Sequence, residues 1–371
     1  MKASAWWLCC GLSLLVLAGC SDEASEPQSF AGLGASLDTG AQAKDFAQPR
    51  PGDRIHLPAD LGPHPGHRIE WWYLTANLTT AEGEPVGLQW TQFRQALEPR
   101  SPSDVPPPPE DWPLQSVWMA HAALSTGEQH FFHERVARGD IGHASAHAQP
   151  FEVWLDDWQL RETNEGAWRL QVQGNDWAYD VSLEPRRPAV RHGEDGFSAK
   201  SASGEGSLYF SYVDLAIEGT VTIEGVRHQV SGSGWFDREW SSQFLRSDQT
   251  GWDWMALQLD SGGRIMAFRL RETGQAYTAG TWIGPNGEAQ SLKSRDFSLD
   301  VLDQRETPRG PVPTNWRLII PDHDVDIEVT TWDGNFWNEG LYPYWEGPVR
   351  VTGTHTGKGY LELTGYDERQ R

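Results

Sequence analysis

The stretch Trp71-Trp72-Tyr73-Leu74 is followed by the turn Glu82-Gly83 and then by Leu88-Gln89-Trp90 with Phe93-Arg94. It reads as a Trp-rich strand, a turn and an apolar return strand ending beside an arginine. An echo lies in the second half of the chain. There Trp252-Asp253-Trp254-Met255 is turned back by Ser261-Gly262-Gly263, and Met266, Phe268 and Arg269 follow. A unit repeated at this scale implies a duplicated architecture, here two related β-barrels. Chance similarity between two Trp-rich hairpins is the alternative.

Working outward, short segments alternate apolar and polar residues: Trp168, Leu170 and Val172; Val221 and Ile223; Met266, Phe268 and Leu270; Val325, Ile327 and Val329. Period-two alternation is the mark of strands with one buried face. Turn signals separate them at Glu165-Gly166, Glu224-Gly225 and Pro285-Asn286-Gly287, which suits antiparallel hairpins. No long stretch carries helical periodicity. The run Pro106–Pro109 cannot sit in a central strand, so residues 101–112 read as a long surface loop. The expected fold class is all-β, two tandem antiparallel β-barrels.

The N-terminus has Lys2, an apolar run centred on Leu12–Leu17, and Leu17-Ala18-Gly19-Cys20, a small-residue cleavage site ending in cysteine. This is the pattern of a lipoprotein signal peptide over residues 1–20, with Cys20 as the lipidated residue. Residues 21–49, rich in Ser, Ala, Gly and acid, read as a flexible linker. The domains are then expected at 50–232 and 233–371. Ser21 rather than Asp after the cysteine places the protein at the periplasmic face of the outer membrane, anchored to the membrane by lipid.

Cys9, Cys10 and Cys20 are the only cysteines, so the body has no disulfide, thiolate nucleophile or cysteine metal ligand. With 52 acidic residues against 30 basic ones, the formal net charge of −22 repels nucleic acid. The 20 tryptophans offer large apolar surfaces with one donor each, suited to cores and apolar-ligand pockets.

The densest polar and aromatic cluster is Gly234-Trp235-Phe236-Asp237-Arg238-Glu239-Trp240-Ser241-Ser242. On a strand, Asp237 and Glu239 share one face about 7 Å apart, and Arg238 and Trp240 share the other. Two further clusters are His67-Arg68-Ile69-Glu70-Trp71-Trp72-Tyr73 and Tyr344-Trp345-Glu346-Gly347. Glu70, Glu239 and Glu346 each adjoin tryptophan, where desolvation raises a carboxyl's pKa and makes a general acid. The competing reading pairs these acids with Arg68, Arg94, Arg238 or Arg269 in a buried network joining the two barrels. The histidine pairs 64/67, 130/133 and 143/147 do not have metal-ligand geometry on strands. Asp322, Asp324 and Asp326 with His323 read as an exposed acidic strand edge rather than a calcium site. There is no G-x-S-x-G elbow and no phosphate loop. Neither a metal nor a cofactor is expected.

Glu70-Trp71-Trp72-Tyr73, Gly196-Phe197-Ser198-Ala199-Lys200, Asp237-Arg238-Glu239-Trp240, Gly251-Trp252-Asp253-Trp254, Tyr344-Trp345-Glu346-Gly347 and the segment from Gly359 to Tyr366 together resemble the AttH/carotenoid 1,2-hydratase (hydroxyneurosporene synthase-like) family. The resemblance implies two lipocalin-like barrels. That family joins carotenoid hydratases to secreted members described as hydrolases. In its hydratase branch a histidine follows the motif aspartate and an acid lies on a following strand. Here Arg238 stands in the first place, and residues 264–268 contain no carboxylate.

The leading expectation is therefore a lipid-anchored, lipocalin-like envelope protein that binds or carries a hydrophobic small molecule; the resemblance alone implies a role as an accessory to an envelope transporter. Its ligand-binding residues would be Trp71, Trp72, Tyr73, Trp240, Trp252, Trp254 and Trp345, with Glu70 and Glu346 as interdomain or buried polar groups. The rival expectation is a hydro-lyase or hydrolase using Glu239 or Asp237 as acid with Arg238 positioning substrate. A third is a structural or attachment protein whose barrels are filled by side chains.

Overall fold

The computed structural model describes residues 43–100, 114–139, 141–243, 245–246, 248–274 and 276–370. Cys20, most of the linker and the loop at 101–112 lie outside the described residues.

The first sheet holds β1 (Ile69–Thr80), β2 (Pro85–Ala96), β3 (Ser116–Ser125), β4 (His130–Arg138), β5 (Ala144–Ala148), β6 (Phe151–Leu155), β7 (Trp158–Glu162), β8 (Trp168–Gln173) and β9 (Trp177–Pro185). It is completed by β10 (Val190–Arg191), β11 (Phe197–Ala199), β12 (Gly206–Ile223) and β13 (Val226–Ser241), in the order β4-β3-β2-β1-β13-β12-β9-β8-β7-β6-β5 with β10 and β11 on β12.

The second sheet holds β14 (Gln249–Leu259), β15 (Arg264–Glu272), β16 (Tyr277–Ile283), β17 (Ala289–Lys293), β18 (Ser298–Arg305) and β19 (Val312–Ile320). It continues with β20 (Val325–Thr331), β21 (Trp337–Asn338), β22 (Tyr344–Gly353) and β23 (Gly357–Leu363), ordered β17-β16-β15-β14-β23-β22-β20-β19-β18 with β21 on β22. All named pairings are antiparallel, and the sheets curl into a barrel and a half-barrel in the lipocalin manner. The described residues contain no α-helix, only short 3₁₀ turns.

The turns form where the sequence signals them. Glu224 and Gly225, both at positive φ (49° and 81°), make the two-residue loop that closes β12 onto β13 in the register Ile223 to Val226. Two left-handed residues match the natural twist of a hairpin.

Alternation along the strands builds separate cores. In the first, Trp72, Leu74, Trp90, Trp118, Phe151, Trp158, Leu170, Phe236 and Trp240 fill the barrel. In the second, Met255, Leu257, Trp316, Leu318, Ile327, Trp345 and Leu361 do the same. Both interiors are thus packed with side chains. A third apolar cluster lies between the sheets, drawn from Tyr73, Tyr209, Val213 and Trp235 of the first and Trp254, Met266, Phe268 and Leu270 of the second. Strand β1 and the second half of β13, residues 234–241, are therefore buried on both faces rather than alternately.

Two expected boundaries shift. The break between sheets falls between Ser241 and Gln249 and not at 232/233, because β13 is hydrogen-bonded along its length to β1 and β12. The end of the expected flexible linker is docked: Phe46 is buried, the Ala47 amide donates to the Gly66 carbonyl at 2.9 Å, and the Ala47 carbonyl accepts from Ser242 Oγ at 2.5 Å.

Candidate functional site

The two faces of β1 and β13 separate the candidate residues into different environments. On the face toward the first core, Glu70 is fully buried and ion-paired with both Arg94 and Arg238. Burial alone would push Glu70 up, but the two guanidinium charges hold it well below the usual carboxylate range. Arg238 lies 3.9 Å from the Trp72 ring centroid and donates to the Gly62 carbonyl at 2.6 Å. Trp72 Nε1 donates to the Leu61 carbonyl at 2.8 Å, and Trp240 stacks on His64 at 3.8 Å. These contacts engage the Glu70 carboxylate and the terminal nitrogens of Arg238 inside the protein. Arg238, expected to position substrate, and Trp72 and Trp240, expected to bind it, are core residues. Trp345 is likewise buried in the second core, against Phe336 at 5.5 Å.

The opposite face looks onto a cavity of about 430 Å³ between the two sheets. Trp71, Tyr73, Asp237 and Glu239 line it from the first sheet, and Trp252, Trp254, Phe268, Leu270 and Glu362 from the second. Of the residues expected to act, these faces bring together Asp237, Glu239, Trp71, Tyr73, Trp252 and Trp254. This cavity lies between the sheets, outside both packed barrel interiors.

The repeat explains how two sheets build one cavity. In the first, Glu70 faces Arg94 and Trp71 faces Phe93 across β1 and β2. In the second, Asp253 faces Arg269 and Trp254 faces Phe268 across β14 and β15. On the other side, Trp71 faces Glu239 on β13, and Trp254 faces Glu362 on β23. Each half therefore supplies the same unit, a tryptophan and a glutamate to the cavity and an acid–arginine pair to its far face. The echo is real, but its register makes Trp71 equivalent to Trp254 rather than to Trp252.

The carboxyls of the cavity differ in their partners. Asp237 Oδ1 accepts from Trp235 Nε1 at 2.6 Å and from Ser211 Oγ. Burial pushes Asp237 up to about 7, against the pull of these donors. Glu362 accepts from Trp252 Nε1 at 2.6 Å and is also pushed up to about 7 by burial, with the charges of Asp237 and Glu239 adding to the rise. Glu239 instead has a counter-charge, Lys200 Nζ at 2.9 Å, and a hydroxyl donor, Ser207 Oγ. Lys200 is held in turn over the Phe268 ring at 4.4 Å. At the floor, Tyr73 Oη hydrogen-bonds Glu346, which burial raises well above the ordinary carboxyl range. Arg246 stands at the mouth with Asp248 and Glu272.

An acid that titrates near pH 7 and a carboxylate paired with lysine, lining one cavity, can donate and accept protons in the same site. Sequence reading named Asp237 and Glu239 but missed Glu362, Lys200, Ser207 and Tyr209. The signal for Glu362 was present: in Leu361-Glu362-Leu363 it is the polar member of an apolar alternation, opposite Trp254. Lys200 comes from the connection after β11, and its pairing with Glu239 has no local signature.

A family model described as AttH-like matches residues 48–366. Among solved structures, an AttH candidate from Nitrosomonas europaea superposes with a TM-score of 0.77 at 30% identity, over 87% of this chain and 100% of its own. Kievitone hydratase from Nectria haematococca follows at TM-score 0.62 and 16% identity, covering 86% of this chain and 98% of its own. CghA, solved with Sch210972, has TM-score 0.50 and 11% identity over 87% of this chain and 96% of its own. The last two likenesses show the fold alone. No curated protein sequence matches significantly. With the family's pattern spanning both sheets and every strand of the cavity, the chain belongs to the AttH-like family.

Proposed function

We propose that this protein is an acid–base enzyme of hydro-lyase type, acting on an apolar or amphipathic small molecule held in the cavity between its sheets. The observation that carries the reading is the placement of Asp237, Glu239 and Glu362 around one cavity rich in aromatic side chains, with Asp237 and Glu362 pushed up to about 7. The cavity's volume, about 430 Å³, lies within the ordinary range for small-molecule pockets.

Hydration of an alkene needs a proton donor, shelter for the resulting cation and a water molecule. In the proposed step the π pair of the substrate takes the proton of a neutral carboxyl, Asp237 or Glu362, forming a C–H bond and leaving that carboxyl as its anion. The faces of Trp71, Trp252 and Trp254 are placed to stabilise the cation. Water then bonds to the cationic carbon, and its surplus proton passes by way of Glu239 to the carboxylate that gave one, restoring the neutral acid. Dehydration is the same path reversed. General acid catalysis of this kind contributes about 10²–10⁴-fold in rate. The hydratase named among the structural neighbours supports the direction of the reading, at the level of fold.

The same cavity suits a carrier, the second reading, because its aromatic lining would hold an apolar ligand without chemistry. One experiment separates them. The protein is isolated from its host, its bound molecule is released and identified by native mass spectrometry, and the two are recombined in H₂¹⁸O. A hydro-lyase adds or exchanges ¹⁸O, and Asp237→Asn slows this at least 10²-fold while retaining the ligand. Retention with no ¹⁸O entering the ligand in the wild type identifies a carrier.

Tethering to the envelope through Cys20, and work beside an export system, belong to the same proposal. Their support is the lipobox-like Leu17-Ala18-Gly19-Cys20 and the family resemblance.

A further inference from the structure

A chain of buried side chains runs from the second sheet to Asp237. Thr281 on β16 has its Oγ1 2.8 Å from His192 Nδ1, and His192 Nε2 is 2.7 Å from Ser211 Oγ. Ser211 Oγ in turn hydrogen-bonds Asp237 Oδ1. His192 and Ser211 are fully buried, and Thr281 is nearly so. Burial, with the nearby charge of Lys200, drops His192 to about 3, so its imidazole is neutral and carries one N–H.

The direction of the chain is fixed at its Asp237 end. Trp235 Nε1 also reaches Oδ1, at 2.6 Å, and an indole N–H can only donate. An oxygen taking two donors is either a carboxylate oxygen or the carbonyl oxygen of the neutral acid, since a hydroxyl oxygen is the weaker acceptor, so Oδ1 accepts from Ser211 in both states. Ser211 therefore spends its proton on Asp237 and needs a donor of its own. The Tyr209 hydroxyl also reaches Ser211, but with the Ser211 proton committed to Asp237 the 2.7 Å contact from His192 Nε2 is a hydrogen bond only if Nε2 carries the hydrogen. The bare Nδ1 then accepts from the Thr281 hydroxyl.

We infer that Thr281, His192 and Ser211 form a one-way hydrogen-bond chain that positions Asp237, holding His192 as the Nε2–H tautomer and leaving Oδ2 as the oxygen that bears the acid's transferable proton. The three act through Asp237 and are positioning residues. Because Thr281 belongs to the second sheet, correct seating of the two sheets is a condition for the acid's orientation. The inference deepens the hydro-lyase reading and takes its chemical meaning from it. The other groups facing the acid are Tyr73 of β1 opposite it in register, Glu239 beside it on β13, Tyr209 of β12, whose hydroxyl hydrogen-bonds it, and Glu362 of β23, which feels its charge.

The test is ¹⁵N NMR of the histidine side chains in the wild-type protein, with His192 assigned by loss of its signals in His192→Gln. The expected result is a protonated Nε2 and a bare Nδ1 throughout pH 6–8. An Nδ1–H tautomer, or an imidazolium in this range, overturns the inference. This readout requires no substrate, so it fails or succeeds separately from the hydro-lyase proposal. As a second measurement, infrared titration of Asp237, isolated by difference from Asp237→Asn, should move upward by about one pH unit in Ser211→Ala, which removes a donor to the carboxyl. Thr281→Val should move it in the same direction and Thr281→Ser restore it. An unmoved midpoint in Ser211→Ala contradicts the chain.

Discussion

Asp237 shows how one side chain links the site to stability. Folding raises it from 3.8 to about 7, which favours its neutral form in the native state. Its contribution is therefore fully present below about pH 4, lost as pH rises toward 7, and absent above. Asp237→Asn keeps an oxygen that accepts from Trp235 and Ser211 but cannot ionise. Its stability relative to wild type should rise across pH 4–7, by at most about 4 kcal/mol for a shift of this size, measured by urea unfolding at several pH values. A difference independent of pH would mean that Asp237 is not raised by burial. In the same range, turnover that needs the neutral acid should decline above pH 7. At this scale the sequence was legible in part: carboxyls beside indoles suggested perturbed acids, but Glu70, Glu239 and Glu346 were equivalent by that rule. Only the structure separates Glu70, clamped by Arg94 and Arg238, from Glu346, hydrogen-bonded to Tyr73 without a counter-charge.

The strand is the scale at which the two networks are kept apart. Because alternate side chains leave opposite faces, β13 sends Arg238 and Trp240 to the first core and Asp237 and Glu239 to the cavity. This separation was readable from spacing alone. Which face met ligand was not, since both carry charge and tryptophan and the partner sheet is far away in sequence. The acid–arginine pairs behind the cavity are expected to be structural. Glu70→Gln leaves Arg94 and Arg238 buried without a counter-charge and should cost about 3–5 kcal/mol, read from the shift in the urea midpoint. Asp253→Asn, which strips Arg269 and Arg271 of their partner at 2.7 and 2.5 Å, should act in the same direction but less, because those arginines are partly exposed. A Glu70→Gln protein of unchanged stability but lost activity would instead place Glu70 in the chemistry.

Across the whole molecule, duplication gives the cavity its form. Two sheets, each with a packed interior, present equivalent pairs, Trp71 with Glu239 and Trp254 with Glu362, to a shared space. Lys200 makes the halves unequal by pairing with Glu239, and in the proposed mechanism that inequality separates the proton donor from the acceptor. The hairpin echo and the turn signals made the duplicated β fold legible. The cavity was not legible, because it is made of long-range contacts between halves. Cys20 belongs to this scale too: Cys20→Ala should abolish incorporation of labelled fatty acid and release the protein from the membrane fraction, whereas unchanged labelling would refute the proposed tether.

The most direct test of the central claim, that the space between the sheets and not the barrel interiors receives the apolar ligand, is to fill that space. Leu270 lines the cavity from β15. Native mass spectrometry of Leu270→Trp, isolated from the host beside the wild type and checked for equal thermal stability, should show the bound molecule of the wild type missing from the variant. A folded Leu270→Trp protein that retains the same molecule in the same amount would contradict the account.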